Sequence, residues 1–555
     1  MKKNYLLPIV LVCLFSLTSL AQTTWDGSDS ADWHTAANWD NNSIPTSAEN
    51  VIIASGGNAP IISSGTLAET LNLTINTGAT LTINSANSLT VSGNLTITDN
   101  DSFILNSGSS LIVSGTSSGD LKYLRNITTT DKWYLVSSPV VGENSTDFLS
   151  NSGDGFGFIP QGGVGGTQFA LGLYNDGWSY NVSNFGSGYG FTVKTSKPGD
   201  LVFTGQMPTS DYAATTTDTT DDFNLFGNPY PSYIPANLNA DENNNFLTVN
   251  TASGQDELDS ATIWFWDQAT DGYIQINQGS PARFIAPSQG FFIKNKGGFG
   301  DSEIDFKESM QSHQSTEVFN RSVTTRQDIK LFLSDGTKNK YTEIYYIDGT
   351  TTDYDNGYDS SIFGGTSHPF SIFTELVTSS NTEKKLGIQS LPNSNFENMV
   401  IPIGINADSG LNIKFTAEVL NLPNGINVYL EDRLKDTYAR LDETNSNYSI
   451  TLTEKISGFG RFYLHTKSSS AINADDIALE GTSVYQLDKN SLRITGINSD
   501  NANIKIYSIL GKQVLNYSFI SKGVTDVTLP NLNIGVYIIE LVTEKGKTNK
   551  KIVLE

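Results

Sequence analysis

Short apolar runs that alternate with polar residues recur along the whole chain, and Gly, Asn, Asp or Ser residues separate them. Alternation with a period of two is typical of strands that bury one face. No segment keeps apolar residues at a sustained helical spacing between capping residues. The pattern therefore predicts an essentially all-β protein. At roughly 100–200 residues per domain, the length of 555 residues corresponds to about three to five domains.

Residues 22–127 are predicted to form a short parallel β-helix-like region. From Leu71 onward, apolar–polar–apolar triplets recur about every 6–10 residues, which is the spacing of faces around such a solenoid. Each triplet directs two side chains inward and one outward. The opening segment, with Trp25, Trp33 and Trp39, is similar to that of bacterial surface β-helix proteins and is expected to cap the first coil. A small β-sandwich is the alternative.

Residues 128–310 are predicted to be a duplicated β-sandwich-like region. Four sequence landmarks occur twice in the same order, about 90–100 residues apart. Two similar halves that share an interface are the simplest explanation. The paired landmarks are Trp133–Pro139 with Phe223–Pro229, Leu173–Trp178 with Trp264–Tyr273, Gly188–Lys194 with Ser288–Lys294, and Leu201–Gly205 with Glu303–Lys307.

Residues 320–468 are predicted to form a further β-sandwich. Alternating strands occur near its start, at Ile329–Leu333 and Glu343–Tyr346, and near its end, at Arg461–Leu464. Residues 469–480 are polar and are predicted to be a linker to the C-terminal domain.

Residues 481–555 contain a compact set of short strands and three ordered motifs that reach the end of the chain. The motifs are Ile506-Tyr507 with Gly511-Lys512-Gln513-Val514, then Leu532 with Gly535-Val536-Tyr537, and finally Lys550-Lys551-Ile552-Val553. The segment resembles the type A C-terminal sorting domain of cargo proteins of the type IX secretion system in Bacteroidota. Much of its inner face is expected to come from Val536, Ile538, Leu541 and Ile552.

This resemblance implies an Ig-like sorting domain, export across the outer membrane by the type IX secretion machinery, and attachment at the cell surface or release. It assigns the sorting motif to Gly511, Gly535, Tyr537, Lys550 and Lys551. The two glycines fall at turns that need a permissive backbone. The lysines belong to a basic tip, which is either a docking patch for the export machinery or a set of solvated side chains.

Residues 1–21 are predicted to be a cleavable secretory signal peptide. Two lysines precede an apolar stretch of about 15 residues, and Ala21 completes a small-residue cleavage pattern. The stretch is shorter than the roughly 20 residues that a spanning helix needs, so no transmembrane segment is expected. The mature chain would begin at Gln22. Because the one cysteine, Cys13, lies in the signal, no disulfide or thiolate site is expected in the mature protein.

The charge balance narrows the classes of partner. Lys and Arg total 34 and Asp and Glu total 58, which gives a net charge of −24. A chain this acidic is repelled by phosphate backbones and by anionic lipid surfaces. We therefore expect no nucleic-acid partner. The same charge suits solubility outside the cell.

Four aromatic residues are candidates for glycan binding, because the C–H face of a sugar packs on a flat apolar ring. They are Trp178, Trp264, Trp266 and Tyr273. Core packing is the alternative. Trp264 and Trp266 alternate with Phe265 in one strand, so these two tryptophans face the opposite way from the phenylalanine.

A candidate calcium site lies around an Asn-Gly turn. Asp353, Asp355 and Asp359 are spaced so that their oxygens can fold around Ca²⁺. The loop lacks the closing Glu of an EF-hand, and a polar hairpin tip is the alternative. No other cofactor is expected. The four histidines are far apart in sequence and form no zinc motif, so each is expected to be a surface or packed residue.

Two hypotheses of function follow. The first is a non-catalytic, secreted or cell-surface protein that acts in adhesion, in glycan binding or as a surface component. The second is a carbohydrate-active enzyme, either a polysaccharide lyase or a glycoside hydrolase, with a shallow site on one of the sandwiches. Two or three carboxylates in one pocket would favour the enzyme, and an aromatic surface without titratable groups would favour binding. No catalytic residue is assigned.

Overall fold

The computed structural model describes residues 21–152, 171–180, 182–217, 221–252, 258–296, 302–314, 326–365, 367–378, 384–396, 399–468, 483–543 and 546–554. The predicted signal peptide, apart from Ala21, and the predicted linker lie outside these residues. The chain folds into two compact units, one that ends at Phe319 and one that begins at Asn320. The all-β prediction is confirmed, since nearly every element described is a strand.

The first unit begins with a parallel β-helix. Its twelve strands are β1 Gln22–Trp25, β2 Asn50–Ile53, β3 Ile61–Ile62, β4 Ala68–Thr70, β5 Leu73–Ile75, β6 Leu81–Ile83, β7 Ser88–Val91, β8 Leu95–Ile97, β9 Phe103–Leu105, β10 Ser110–Val113, β11 Ser117–Ser118 and β12 Asp120–Ile127. They stack into three sheets with the orders β1-β2-β5-β8-β11, β10-β7-β4 and β12-β9-β6-β3, in parallel pairs throughout. The short apolar triplets produce this architecture because each supplies one strand of a face.

From β2 onward, the coils of the β-helix have a constant length in the first sheet. Val51 pairs with Leu73, and Leu73 pairs with Leu95, so each turn of the chain takes 22 residues. The outer residues of a triplet are buried and the middle one faces outward. Asparagines also stack along the corners: the Asn72 Nδ2 group donates to Asn50 Oδ1 at 2.7 Å. These ladders satisfy polar groups that a bend in the chain would otherwise leave unpaired.

Three buried tryptophans close the first coil, as the opening segment predicts. The Trp39 ring lies 5.0 Å from the Trp25 ring and 4.8 Å from the Trp33 ring, in edge-to-face geometry. The Trp39 Nε1 group also donates to the Trp33 carbonyl oxygen at 2.9 Å. All three side chains are fully buried, so the cap protects the end of the β-helix core from water.

The duplicated region continues the same unit. Its strands are β13 Trp133–Ser137, β14 Leu171–Tyr174, β15 Trp178–Ser179, β16 Gly190–Lys194, β17 Gly199–Gln206, β18 Tyr212–Thr215, β19 Phe223–Gly227, β20 Ile234–Pro235, β21 Thr262–Asp267, β22 Gly272–Asn277, β23 Phe284–Ile285, β24 Gly290–Lys294 and β25 Glu303–Phe306. Strand β17 pairs antiparallel with β12. The β-helix and the duplicated region therefore share a sheet across the predicted boundary at residue 127.

Each copy contains a short helix that the sequence pattern does not predict, after β13 in the first copy and after β20 in the second. The two helices are α1 Ser145–Asn151 and α2 Phe246–Thr251, and 3-10 turns span Ala36–Asn38 and Glu308–Met310. An asparagine caps each α-helix: Asn144 accepts from two backbone N–H groups of α1, and Asn245 accepts from one of α2. These helices are too short to show a helical spacing of apolar residues, so the capping asparagines are the feature of the sequence that could indicate them.

The two copies contact each other through a pseudo-twofold pair of bridges. Val136 of the first copy pairs with Gln289 of the second, and Phe226 of the second pairs with Tyr189 of the first. The exchanged positions match the landmark alignment of the sequence repeat. The duplicated architecture thus builds one interface from two equivalent halves.

One face of the β-helix packs against the second copy through polar contacts. The His313 Nε2 atom lies 2.8 Å from Thr90 Oγ1, and its Nδ1 atom lies 2.8 Å from Ser110 Oγ. The Leu111 N–H group donates to the Pro231 carbonyl oxygen at 2.8 Å, where the next coil would otherwise bind. The second copy therefore occupies the open edge of this sheet.

The second unit contains one eleven-stranded sheet over residues 327–468. Its strands are β26 Gln327–Ser334, β27 Asn339–Ile347, β28 Ser360–Ser361, β29 Ser371–Thr374, β30 Leu386–Pro392, β31 Met399–Ala407, β32 Asn412–Leu420, β33 Ile426–Asp432, β34 Thr437–Arg440, β35 Tyr448–Thr451 and β36 Ile456–Ser468. The rings of Phe415 and Phe462, on strands far apart in the sheet order, lie 4.9 Å apart. The sheet therefore folds over one core in a sandwich-like arrangement.

The C-terminal sheet has five strands, namely β37 Ser483–Asp488, β38 Ser491–Ser508, β39 Gln513–Thr528, β40 Gly535–Thr543 and β41 Gly546–Leu554. The expected inner face is wrong for Ile538, which is 43% exposed, whereas Leu541 and Ile552 are buried as expected. Side chains on one face of a strand are an even number of residues apart. Ile538 and Leu541 are three residues apart, so they lie on opposite faces. Tyr537 and Ile539 accompany Leu541 in the core.

Candidate functional site

Three of the four predicted glycan-binding residues form one group with the buried ring of Phe292, which two of them contact directly. The ring centroids of Trp178 and Tyr273 lie 6.1 Å and 5.7 Å from that of Phe292, and the Trp266 ring lies 5.1 Å from the Tyr273 ring. Trp178, Trp266 and Tyr273 are partly exposed, whereas Phe292 is fully buried. We call these four residues the aromatic cluster. Its edge-to-face contacts hold the partly exposed rings on a rigid base.

The aromatic cluster combines residues from both copies of the duplicated region. Trp178 lies on β15 of the first copy, and Phe292 lies on β24 of the second. Trp266 and Tyr273 are direct cross-strand partners on β21 and β22. The sequence repeat placed Trp178 and Tyr273 at matching landmarks, but only the paired sheets show that both rings reach the same phenylalanine.

A tyrosine beside the aromatic cluster is fixed by a carboxylate. The Tyr174 ring lies 4.9 Å from the Phe292 ring, and its hydroxyl donates to the Asp221 carboxylate. Burial and the neighbouring Asp221 charge raise the pKa of Tyr174, so the phenol stays protonated as a donor. Asp221 also accepts from the Phe223 backbone N–H group. This contact anchors the edge of the cluster.

Trp264 belongs to the core, and its assignment to glycan binding is corrected here. Its side chain is fully buried, and its ring packs 5.2 Å from the Phe223 ring. A sugar cannot reach a ring that neighbouring strands cover completely. The alternation in this strand behaves as expected, since Phe265 packs into the opposite core with Phe291.

The three aspartates of the candidate calcium loop do not form a metal-binding group. In the part of the chain that the structure describes, no cluster of three or more acidic, histidine or cysteine side chains could hold a metal ion. Asp359 is fully buried and accepts from the backbone N–H groups of Asp355 and Ser390, each at 2.7 Å. Asp355 accepts from Thr351, and Asp353 is exposed. The loop geometry therefore supports the polar-turn alternative.

Burial raises the pKa of Asp359 to about 7, although the two backbone donors act in the opposite direction. Another acid, Glu143, has similar electrostatics. Its side chain is buried, and burial raises its pKa to about 7 against the hydrogen bonds from Thr204 and Asn144. Both carboxyl groups bind backbone N–H groups, which is a structural role.

The predicted sorting residues cluster at the turns and at the last strand of the C-terminal sheet. Gly511 has a φ of +79° in the turn after β38, where its N–H group donates to the Ser508 carbonyl oxygen at 2.8 Å. Gly535 begins β40 and pairs with Leu554. The left-handed conformation at Gly511 explains the glycine there. Next to it, Leu510 is 91% exposed.

The remaining sorting residues differ in exposure. Tyr537 is buried, and its hydroxyl donates to the Asn533 carbonyl oxygen at 2.9 Å. This bond fixes the loop that leads into β40. Lys550 and Lys551 are exposed on β41, which lies at the edge of the sheet order. An exposed pair of lysines is compatible with both interpretations of the basic tip.

A pocket of about 520 Å³ lies in the C-terminal sheet. It is lined by Asn501, Ala502, Asn503, Ser518, Phe519, Ile520, Val542 and Thr543. This lining contains no carboxylate, so the pocket lacks the paired acids that glycoside hydrolysis requires.

The sequence patterns missed a second surface of mixed chemistry. On the outer face of β33, β34 and β36, charged side chains pack against tyrosine rings around Glu431 and His465. The residues come from segments up to about 35 positions apart and form no local motif. The cross-strand register alone brings them together.

Two protein families match the chain. The family described as "Domain of unknown function (DUF8693)" matches residues 24–465, and the "Secretion system C-terminal sorting domain" matches residues 488–555. The second match confirms the resemblance to type IX secretion cargo. The protein is thus a secreted or cell-surface protein that the type IX machinery handles. None of the helices in the described part of the chain has the length and apolar character needed to span a bilayer.

Three solved structures show distant similarity to this chain. A two-domain fibronectin type III segment of chicken tenascin is 11% identical, covering 27% of this chain and 94% of its own, with a TM-score of 0.11. A polysaccharide lyase is 10% identical, covering 41% and 39%, with a TM-score of 0.12. The extracellular domain of a hybrid two-component system from B. thetaiotaomicron is 11% identical, covering 68% of each chain, with a TM-score of 0.09. TM-scores this low carry no argument. No curated protein matches the chain.

Proposed function

This chain belongs to the family described as "Domain of unknown function (DUF8693)", and from its aromatic cluster we propose that it is a non-catalytic surface adhesin that binds glycans. Type IX secretion delivers it to the cell exterior, where polysaccharides are abundant ligands. The proposal rests on one observation: Trp178 and Tyr273 pack against Phe292, Trp266 packs against Tyr273, and all three residues stay partly exposed.

The chemistry of the aromatic cluster suits a neutral sugar. Sugar C–H faces pack on flat rings, and indole and phenol groups can also bond hydroxyls. Phe292 and Tyr174 support the partly exposed rings from below, so little ordering is needed on binding. The carboxylate that contacts Tyr174, Asp221, also accepts from the Phe223 backbone. That arrangement supports binding rather than acid–base catalysis.

The test is a glycan-array screen of the mature chain, residues 22–555, with a reducing-end assay of every hit. We expect binding without new reducing ends. New reducing ends would overturn the proposal in favour of a carbohydrate-active enzyme. Binding to no glycan on the array would overturn it in favour of a structural surface component.

Variants of Trp178 then locate the site. Trp178→Ala should weaken binding of the glycan hits by about tenfold or more, the size of a lost stacking contact of 1.4 kcal/mol or above. Trp178→Tyr keeps a ring and should retain most of the affinity. Leu67→Ala changes an exposed apolar side chain on the β-helix and serves as the control. Unchanged binding by a folded Trp178→Ala variant would overturn the assignment.

A further inference from the structure

The outer face of strands β33, β34 and β36 carries a second side-chain cluster with different chemistry. Val428 and Leu430 of β33 and Leu464 of β36 point into the core, so the intervening residues point outward. The register places Glu431 opposite both Tyr438 and Tyr463. Tyr429 lies opposite His465, and Asn427 lies opposite Lys467. We call Glu431, Arg433, Tyr438, Tyr463, His465 and Lys467 the basic face.

A single carboxylate organises the basic face from beneath. Glu431 has only 13% of its side chain exposed. It accepts from His465 Nε2 at 2.8 Å, from Arg433 Nε at 3.2 Å and from the Tyr438 hydroxyl. Burial alone would raise the pKa of Glu431, but these donors lower it. The carboxylate is therefore ionised, and it fixes three side chains at once.

The groups that reach solvent are cations and a tyrosine ring. Arg433 is 47% exposed, and its guanidinium carbon lies over the Tyr463 ring, 3.4 Å from the ring centroid. Tyr438 is 44% exposed, and the Lys467 Nζ atom lies 5.5 Å from its ring centroid. Lys467 has no carboxylate partner among the described residues. Although the protein carries a net charge of −24, this surface presents positive charge on both sides of an exposed ring.

His465 adds a buried acceptor to the basic face. It is 5% exposed beneath the Tyr438 ring, whose centroid is 5.4 Å away. Its Nε2 atom faces the Glu431 carboxylate, so Nε2 carries the proton. The Nδ1 atom is buried and has no hydrogen-bond partner within the described residues. An unpaired buried acceptor is costly, and such atoms commonly mark a place where a ligand or water binds.

We propose that the basic face binds an anionic saccharide that carries uronate or sulfate groups. One sugar ring stacks on Tyr438, and acidic groups on either side pair with Arg433 and Lys467. The planar guanidinium is held ready for a carboxylate or a sulfate, because Tyr463 and Glu431 fix its orientation.

This inference goes beyond the proposed function because it adds a second subsite, in the other unit, for a ligand of a different charge. The aromatic cluster offers rings without an exposed cation among its four members, and it suits neutral sugars. The basic face joins one exposed ring to two cations. The two proposals rest on different residues and can fail separately.

The test measures binding of polygalacturonate, a polyuronate, to the full mature chain by titration at low and at moderate salt. The double variant Arg433→Gln/Lys467→Gln should lose at least tenfold in affinity, and wild-type binding should weaken as salt rises. Lys455→Gln removes an exposed lysine of the same unit that pairs with Asp408, and it should bind like the wild type. Equal binding by the double variant and the wild type would overturn the proposal.

Two further measurements separate a saccharide site from mere charge attraction. Tyr438→Ala should weaken polygalacturonate binding, whereas Tyr438→Phe keeps the ring and should retain most of it. Polyglutamate, a polyanion without sugar rings, should bind at least tenfold more weakly than polygalacturonate, and equal binding would overturn the saccharide assignment. Trp178→Ala should leave polyuronate binding unchanged, which distinguishes this site from the aromatic cluster. If the double variant does not fold, Lys467→Gln alone decides the outcome.

Discussion

Trp178 and Tyr273 occupy matching positions in the two copies of the duplicated region, and both rings pack against Phe292. The two copies therefore build a shared cluster, because equivalent residues from each half contact the same side chain. The second copy alone supplies that central ring: the residue that corresponds to Phe292 in the first copy is Thr192. The aromatic cluster thus depends on a departure from exact symmetry.

This asymmetry gives the first prediction. Phe292→Ala should lower the free energy of unfolding by about 3–5 kcal/mol, because it removes a fully buried ring and leaves a cavity. It should also weaken glycan binding through the loosened Trp178 and Tyr273 rings. Denaturant unfolding and glycan titration measure the two effects. Phe332→Ala, at a partly exposed phenylalanine, is the control. A stable variant with unchanged binding would show that Phe292 does not support the site.

The sequence was most informative where local pattern determines structure. In a triplet such as Leu73-Thr74-Ile75, the alternation itself shows that the outer two side chains are buried and the middle one faces outward. Such triplets therefore predict the β-helix without knowledge of the neighbouring strands. The repeat predicts the paired copies for the same reason. Burial of Trp264 could not be predicted in this way, because neighbouring strands that are distant in sequence cover it.

The basic face shows the same limit more strongly. Arg433, Tyr438 and Lys467 become neighbours only through the register of three strands. The prediction that Ile538 shares the inner face with Leu541 is wrong, because side chains an odd number of residues apart in a strand point to opposite faces. Local alternation predicts which residues share a strand face, whereas the identity of the covering element is a tertiary property.

The close approach of the two copies gives a second prediction. A Cβ atom at Gly227 would lie 2.2 Å from the Ser137 Cβ atom, so Gly227→Ala should destabilise the protein by about 1–3 kcal/mol. Ser137 and Gly227 are equivalent in the repeat, and the double variant Ser137→Gly/Gly227→Ala should regain part of the loss. Thermal unfolding provides the measurement, with Gly535→Ala as a control whose Cβ would meet only the Tyr537 ring, at 4.0 Å. An unaffected melting temperature for Gly227→Ala would contradict this interface.

His313 gives a prediction about acid stability. Burial lowers the pKa of His313 from 6.5 to about 4. The unfolded chain therefore binds more protons than the folded one between these values, and the unfolding free energy falls as pH drops from about 6.5 to about 4. His313→Ala should reduce this pH dependence while it also removes the contacts to Thr90 and Ser110. Urea unfolding at several pH values tests the change.

His34→Ala removes an imidazole elsewhere on the β-helix and controls for general effects of the substitution. An equal change in both variants would argue against a specific role of His313. The raised pKa of Glu143 acts with the opposite sign in the same unit, since a carboxyl that is protonated more readily when folded favours the folded state as pH falls. The comparison of variant with wild type isolates the His313 contribution.

Asp359 leads to a prediction that separates a structural carboxyl from a calcium ligand. Asp359→Ala should lower the unfolding free energy by about 2–4 kcal/mol, because it leaves the buried Ser390 N–H group and the partly buried Asp355 N–H group without their acceptor. Asp353→Ala, at an exposed position of the same loop, should change little. Calcium and a chelator should give the same melting temperature for the wild type. If calcium instead raised the melting temperature of the wild type and Asp359→Ala abolished that increase, the calcium-site hypothesis would be restored.

The same carboxyl has a pH signature. The pKa of Asp359 is about 7 in the folded protein and near 3.8 when unfolded. The folded state therefore holds the proton more tightly, and the contribution of Asp359 to stability falls as pH rises from about 4 to about 7. Asp359→Ala should remove this dependence. A pH profile identical to that of the wild type would show that Asp359 does not titrate in this range.

The last prediction concerns export in the native host. Removal of residues 481–555 takes away the sorting domain with its own hydrophobic core, so the truncated protein should remain in the periplasm. Surface proteolysis and fractionation measure its location, and normal surface display would contradict the sorting role.

The basic tip can be tested separately. If its lysines dock on the machinery, Lys550→Gln/Lys551→Gln should reduce display while Lys489→Gln, an exposed lysine in the same domain, should not. Because both lysines lie on an edge strand, neutralising them changes charge without opening the core. Equal display of the two variants would show that the lysines are only solvated, and that recognition depends on other surfaces such as the turn at Gly511.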